Sequence, residues 1–84
     1  MDEKEFVKSV GKEIANKRKQ AGLTQGDVAV KLGVEKETVS RLETGAISPT
    51  LARLHQLSAI FACSVGHFFW HTEGNEQAQA ETIA

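Results

Sequence analysis

Between Lys36 and Leu42 the sequence reads KETVSRL, with two apolar residues, Val39 and Leu42, set three positions apart. If this segment is helical and those two point inward, Lys36, Glu37, Ser40 and Arg41 share the outward face. That face offers charge and hydrogen bonding: an ammonium, a carboxylate, a hydroxyl, and a guanidinium fork that can donate to two acceptors at once. Bond-making chemistry has little support elsewhere. There are no paired carboxylates in a plausible pocket, no nucleophile with a base and no phosphate-binding glycine loop, so no enzyme is expected. His67 and His71 lie one helical turn apart with Glu73 nearby, a spacing that can bind zinc on a helix. No third strong ligand is placed and the helix should end around His71, so neither a metal nor any cofactor is expected. Cys63 is the only cysteine, which excludes a disulfide framework and a multi-cysteine zinc site. It reads as a small buried apolar residue.

The outward face needs elements to hold it, and the stretch from Gly22 to Pro49 supplies them. Thr24 is a good N-cap, and Asp27 three residues on makes a variant capping box. Val28, Ala29 and Leu32 form the buried side of a short helix that Gly33 closes, and Val34 plugs the turn. A next helix runs from about Lys36 to Glu43 and stops at Gly45. Two short helices held at a steep angle can push one of them into the major groove of DNA.

Around this pair, Phe6, Val10 and Ile14 set an apolar stripe on a first helix from about Glu3 to Gln20, ended by Gly22. Ser48 before Pro49 reads as the start of a fourth helix with Leu51, Leu54, Leu57 and Phe61 inward. Ser64 caps a short fifth helix containing Val65, Phe68 and Phe69. No strand pattern or repeat stands out. One domain is expected over residues 1–71, with a polar, flexible tail over residues 72–84.

Composition narrows the partners. The net charge is −1, which argues against a nucleic-acid partner. Its distribution softens that objection: residues 1–53 hold all ten Lys and Arg against eight acids, while residues 54–84 hold three acids and neither Lys nor Arg. The helical pair therefore lies in the positive half, although the small excess predicts only modest non-specific affinity. No run is apolar enough to span a bilayer and no signal-peptide pattern follows Met1, so no membrane partner and a reducing, cytoplasmic setting are expected. No small-molecule ligand is predicted.

An ordered set of residues carries a resemblance. Ile14 and Arg18, then Gly22, Leu23, Thr24, Gln25, Ala29, Leu32, Gly33 and Val34, then Thr38 to Glu43, Gly45, Ser48, Pro49, Leu51, Leu54, Leu57, Ser64 and Phe68 are spaced as in a known family. Over roughly residues 6 to 70 the chain resembles the lambda-repressor-like, Cro/Xre helix-turn-helix proteins. The resemblance implies an all-α, compact five-helix domain that binds double-stranded DNA as a transcriptional regulator, most simply a repressor.

Site roles follow from the resemblance. Positions matching Lys36, Glu37 and Arg41 commonly touch base edges in the family; Arg41 can grip guanine O6 and N7, Lys36 a guanine or phosphate, and Ser40 a phosphate or base. Glu37 must accept from a cytosine amino group or brace an arginine. It also stands four residues before Arg41 in the order that suits an intrahelical salt bridge, and Glu35 and Glu37 both suit the positive end of the helix. Gln25 and the open N–H groups of its helix end, with Thr24, meet backbone phosphate. Arg18 and Glu43 pair across the first and third helices, the alternative being solvated charges with Arg18 joining Lys17 and Lys19. The chain departs from the family at Ala46 and Ile47, where Lys or Arg often contacts phosphate; Ser48, Thr50 and Arg53 are left to serve.

Phe68, Phe69 and Trp70 crowd three rings onto one short element, so part of the run should face outward. Small family members commonly form two-fold dimers here, which implies a homodimer through Val65, Phe69 and Trp70 on a palindrome-like operator. The other reading of Trp70 is a cover for the bottom of the first helix. The competing function is a protein-interaction module of the same fold, antitoxin-like, with weak or no DNA binding.

Overall fold

The computed structural model describes residues 1–69. Within them the chain forms α1 (Glu3–Gln20), α2 (Gln25–Leu32), α3 (Lys36–Thr44), α4 (Leu51–Phe61) and a 3₁₀ turn (Val65–Phe68), with no strand among the described residues. Each start has a local cause. The Asp2 carboxylate accepts from the Glu5 N–H at 2.8 Å and caps α1. At α2 the capping box is complete, with Thr24 Oγ1 accepting from the Asp27 N–H and Asp27 Oδ2 accepting from the Thr24 N–H. Gly33 and Gly45 end α2 and α3 in the left-handed region, at φ 73° and 80°.

α1 and α2 pack chiefly on α3, α4 reaches α1 and α2, and the 3₁₀ turn closes the far side against α1 and α4. Val10 and Ile14 of α1, Val28 and Ala29 of α2, Val39 of α3, Leu54, Leu57 and Phe61 of α4, and Phe68 form one buried cluster. Phe68 is fully enclosed and meets Phe61 edge to face.

Three expectations at this end of the molecule need correction. The cap of α4 is Thr50, which accepts from the Arg53 N–H at 3.0 Å, so the helix starts beyond the Ser48–Pro49 step. Leu51 then sits at the helix tip and is 78% exposed instead of inward. Its place on the apolar stripe is right, but no element among the described residues reaches far enough to cover it. Phe6 on the first turns of α1 is likewise 43% exposed. The two stripes run past the core at the same end of the molecule. There Phe6, Val7, Pro49, Leu51 and Phe69 line an apolar groove of about 160 Å³.

The fifth element is a 3₁₀ turn of four residues and ends at Phe68. Gly66 in its middle and the missing side-chain cap at Ser64 both disfavour extension into a full helix. The tail and Trp70, His71 and Glu73 lie outside the described residues.

Candidate nucleic-acid interface

The site is built from the turn outward. The Gly33 N–H donates to the Val30 carbonyl at 3.2 Å and the Val34 N–H to that of Ala29 at 3.0 Å, which reverses the chain within three residues. Ala29, buried where α2 meets α3, has no bulk to hold the helices apart. With Val39 and Leu42 buried beneath it, α3 presents Lys36, Glu37 and Arg41 to solvent, with Ser40 half-buried. Gln25, Lys36, Glu37 and Ser40 line one open depression of about 270 Å³, so the first residue of α2 and three of the four outward side chains of α3 share a single surface.

Donors converge there. The first N–H groups of α2, those of Gln25 and Gly26, have no acceptor among the described residues, since Thr24 takes only those of Asp27 and Val28. At α3, Glu35 makes no side-chain cap, leaving the N–H groups of Lys36 and Glu37 open. The competing charge is local: Asp27 lies within the first turn of α2 and Glu37 within that of α3. The Thr24 backbone N–H, and then its hydroxyl, hold the Asp27 carboxyl below the usual range.

Behind this surface Glu43 ties the scaffold together. Arg18 Nε donates to Glu43 Oε2 at 2.6 Å and a second guanidinium nitrogen donates to Oε1 at 3.1 Å, making a bidentate pair with side chains only 12% and 7% exposed. The third guanidinium nitrogen donates to the Leu23 carbonyl at 2.9 Å. Gln25 Nε2 donates to Glu43 Oε1 at 2.9 Å. The hydrogen bond to Glu43 raises the pKa of Arg18 despite partial burial. Gln25 was expected at phosphate through its amide; one of the two amide hydrogens is instead committed to Glu43, leaving the second and the backbone N–H.

On the other flank of α3 a second depression, of about 180 Å³, collects Thr38, Leu42, Ile47, Ser48, Pro49, Thr50 and Arg53. It brings together Ser48, Thr50 and Arg53 and adds Thr38, a residue to which the sequence alone assigns no contact. Thr38 alternates with Glu37 across the crest of α3 and could have been found from that phase alone. Arg53 donates to Gln56 Oε1 at 2.9 Å, which steadies its guanidinium and leaves other N–H groups open. Arg41 stands outside both depressions. It makes no ion pair with Glu37; among the described residues the ion pair is that of Arg18 with Glu43.

Of the aromatic run, Phe69 is half-buried and stacks parallel on Phe6, ring centroids 6.0 Å apart. Val65 is half-buried against the core. Among the described residues no three His, Cys, Asp or Glu side chains gather as a metal site, and no described helix is long and apolar enough to cross a membrane. Cys63 is half-buried, and burial pushes its thiol pKa up.

A family model described as helix-turn-helix matches residues 14–68. The HTH-type transcriptional regulator y4dJ of Sinorhizobium fredii is 35% identical over 57 residues, covering 68% of this chain and 74% of that protein. An HTH-type transcriptional regulator of Methanothermobacter thermautotrophicus is 40% identical over 45 residues, 54% of this chain and 65% of the relative. The HTH-type transcriptional regulator PuuR of Escherichia coli is 29% identical over 69 residues, 82% of this chain. The chain spans just under two thirds of the archaeal relative's length and 37% of PuuR's. Among solved structures, the crystal structure of apo-HppE superposes with a TM-score of 0.71 at 23% identity, over 77% of this chain and 36% of that one, a likeness of fold alone.

Proposed function

The chain belongs to the Cro/C1-type helix-turn-helix family, and on that premise we propose that it is a sequence-specific DNA-binding transcriptional regulator, a repressor acting as a homodimer on a palindrome-like operator. The observation that carries this reading is the pair of open depressions flanking α3, one holding Gln25, Lys36, Glu37 and Ser40, the other Ser48, Thr50 and Arg53. A helix laid in the major groove has a phosphate backbone on either side of it. Here each flank offers donors.

In this reading α3 enters the groove. Arg41 donates to a guanine edge, Lys36 and Ser40 reach bases or phosphate, and Glu37 accepts from a cytosine amino group. The N–H groups of Gln25 and Gly26 hold phosphate on one flank, joined by the Thr24 hydroxyl once it turns from Asp27; Ser48, Thr50 and Arg53 hold it on the other. The Arg18–Glu43–Gln25 network keeps the angle between the two helices fixed while this happens. The names of the relatives, all transcriptional regulators, support the same reading.

The homodimer is supported by the exposed apolar end of the molecule, where Phe6, Leu51 and Phe69 surround the groove described above. A two-fold dimer would place two α3 helices on half-sites ~34 Å apart.

The test is binding to random-sequence duplex DNA across a salt series, followed by selection of an operator from a random pool. A steep fall in affinity with salt and a palindromic selected site are expected. No binding at low salt would sink the regulator. It would leave the interaction module, which the exposed Ala46 and Ile47 favour by replacing charge with apolar surface in the loop after α3.

A further inference from the structure

The loop after α3 lacks the basic residues a backbone-gripping loop needs, yet lysines from another element stand beside it. Lys4, Lys8 and Lys12 form a row along the exposed side of α1, each step rising about 6 Å. Lys8 is laid directly on the end of α3: a Cβ added to Gly45 would come within 2.8 Å of Lys8 Cγ and 2.9 Å of Lys8 Cα. Lys4, with Glu3, Val7, Gly45, Ala46 and Ser48, lines an open depression of about 440 Å³. Ser48 also belongs to the depression that holds Thr50 and Arg53. The loop is therefore a ridge with Arg53 on one side and Lys4 and Lys8 on the other.

These ammonium groups have no internal task. Neither Lys4 nor Lys8 makes a hydrogen bond or ion pair among the described residues, and no carbonyl at the end of α3 accepts from a lysine there. Gly11, not a lysine, covers the last carbonyls of α3.

We propose that Lys4 and Lys8 of α1 form a phosphate-binding edge for the DNA backbone, supplying from a neighbouring helix the positive charge missing from Ala46 and Ile47. The proposal rests on the DNA-binding reading above and extends it to a helix outside the helix-turn-helix pair. The row is sequence-blind: ammonium groups hold phosphate as point charges and carry no base information. Glu3, on the wall of the same depression, opposes the contact and weakens it.

The test uses the full chain, random-sequence duplex DNA and the selected operator. Each phosphate contact contributes roughly 0.9 to the slope of log K against log salt, so Lys4→Gln with Lys8→Gln should lower that slope by nearly 2 for each bound protomer on both duplexes. The ratio of operator to random affinity should stay the same. Lys8→Arg should retain the slope, and Glu3→Gln should tighten binding. Lys31→Gln, at the opposite end of α2 from Gln25, should leave the slope unaltered. An unchanged slope in Lys4→Gln alone, at an exposed position, overturns the proposal, as does an equal loss in Lys31→Gln, because net charge would then suffice. Failure of the unmodified chain to bind any duplex at low salt refutes the DNA-binding reading itself, a separate result.

Discussion

At Glu43 one carboxylate holds three donors, two from Arg18 and one from Gln25, with little solvent around it. Glu43→Gln keeps the shape and removes the charge, leaving the Arg18 guanidinium partly buried and uncompensated. Urea unfolding should show a loss of about 3–5 kcal/mol, the range for breaking one half of a buried pair. A loss below 1 kcal/mol would mean the pair behaves as a surface bridge. The raised pKa of Arg18 adds stability that is present at all lower pH and lost only in strongly alkaline solution, so Arg18 itself should impose no pH dependence near neutrality. Asp27 runs the other way. Its depressed pKa contributes stability above the ordinary carboxylate range that is lost as pH falls through the lower folded value, and an NMR titration should place its midpoint below that range. Arg41 has a different kind of consequence, since its side chain makes no hydrogen bond or ion pair among the described residues. Arg41→Ala should cost roughly 1–3 kcal/mol at particular base positions in operator binding; equal weakening on every sequence would assign it to phosphate.

Among the elements, the seating of α3 depends on glycine at an unexpected place. Gly11 lies in the middle of α1, where glycine costs about 1 kcal/mol relative to alanine. A Cβ there would come within 2.7 Å of the Glu43 carbonyl oxygen and closer still to that of Leu42. Both obstacles are backbone, so the helices would have to part and the Arg18–Glu43 pair with them. Gly11→Ala should therefore destabilise, by about 1–3 kcal/mol, although alanine is the better helix former. A rise in Tm would show that α1 can slide. The end of α4 presents the converse case. Ala62 takes the left-handed conformation at φ 54° so that the Cys63 N–H can reach the Ser58 carbonyl at 3.0 Å. Ala62→Gly should raise stability by about 0.5–1 kcal/mol in thermal unfolding, because glycine meets that φ without strain; a fall would mean that the methyl group packs usefully.

For the whole molecule, the uneven distribution of charge and apolar surface gives neighbouring faces different uses. α3 is flanked by open donors, while the neighbouring groove, which shares Ser48 and Pro49 with one of those flanks, gathers Phe6, Leu51 and Phe69. Leu51 points to solvent at the tip of α4, so Leu51→Glu should leave folding intact. In the homodimer reading it should raise the dimer dissociation constant at least tenfold, as measured by sedimentation, and weaken operator binding in parallel. A variant that remains as dimeric as the parent would move the contact to another face.

Much of the fold was legible in the chain. Periodicity, caps and αL glycines are local properties, and they place α1, α2, α3 and the stop at Gly45 to within a residue. The outward phase of Lys36, Glu37, Ser40 and Arg41 follows from Val39 and Leu42 for the same reason. What could not be read locally was coverage and approach. The stripes of α1 and α4 do not say where the neighbouring helix ends, and so Phe6 and Leu51 look buried in sequence and are not. Nor does any pattern in α1 announce that Gly11 must admit the carbonyls of α3, or that Lys4 and Lys8 come to rest beside a loop some forty residues away. Hydrophobic phase and turn chemistry are short-range and are written in neighbouring residues. The distance between two helices is set by side chains remote in sequence, and it exists only once the helices have packed.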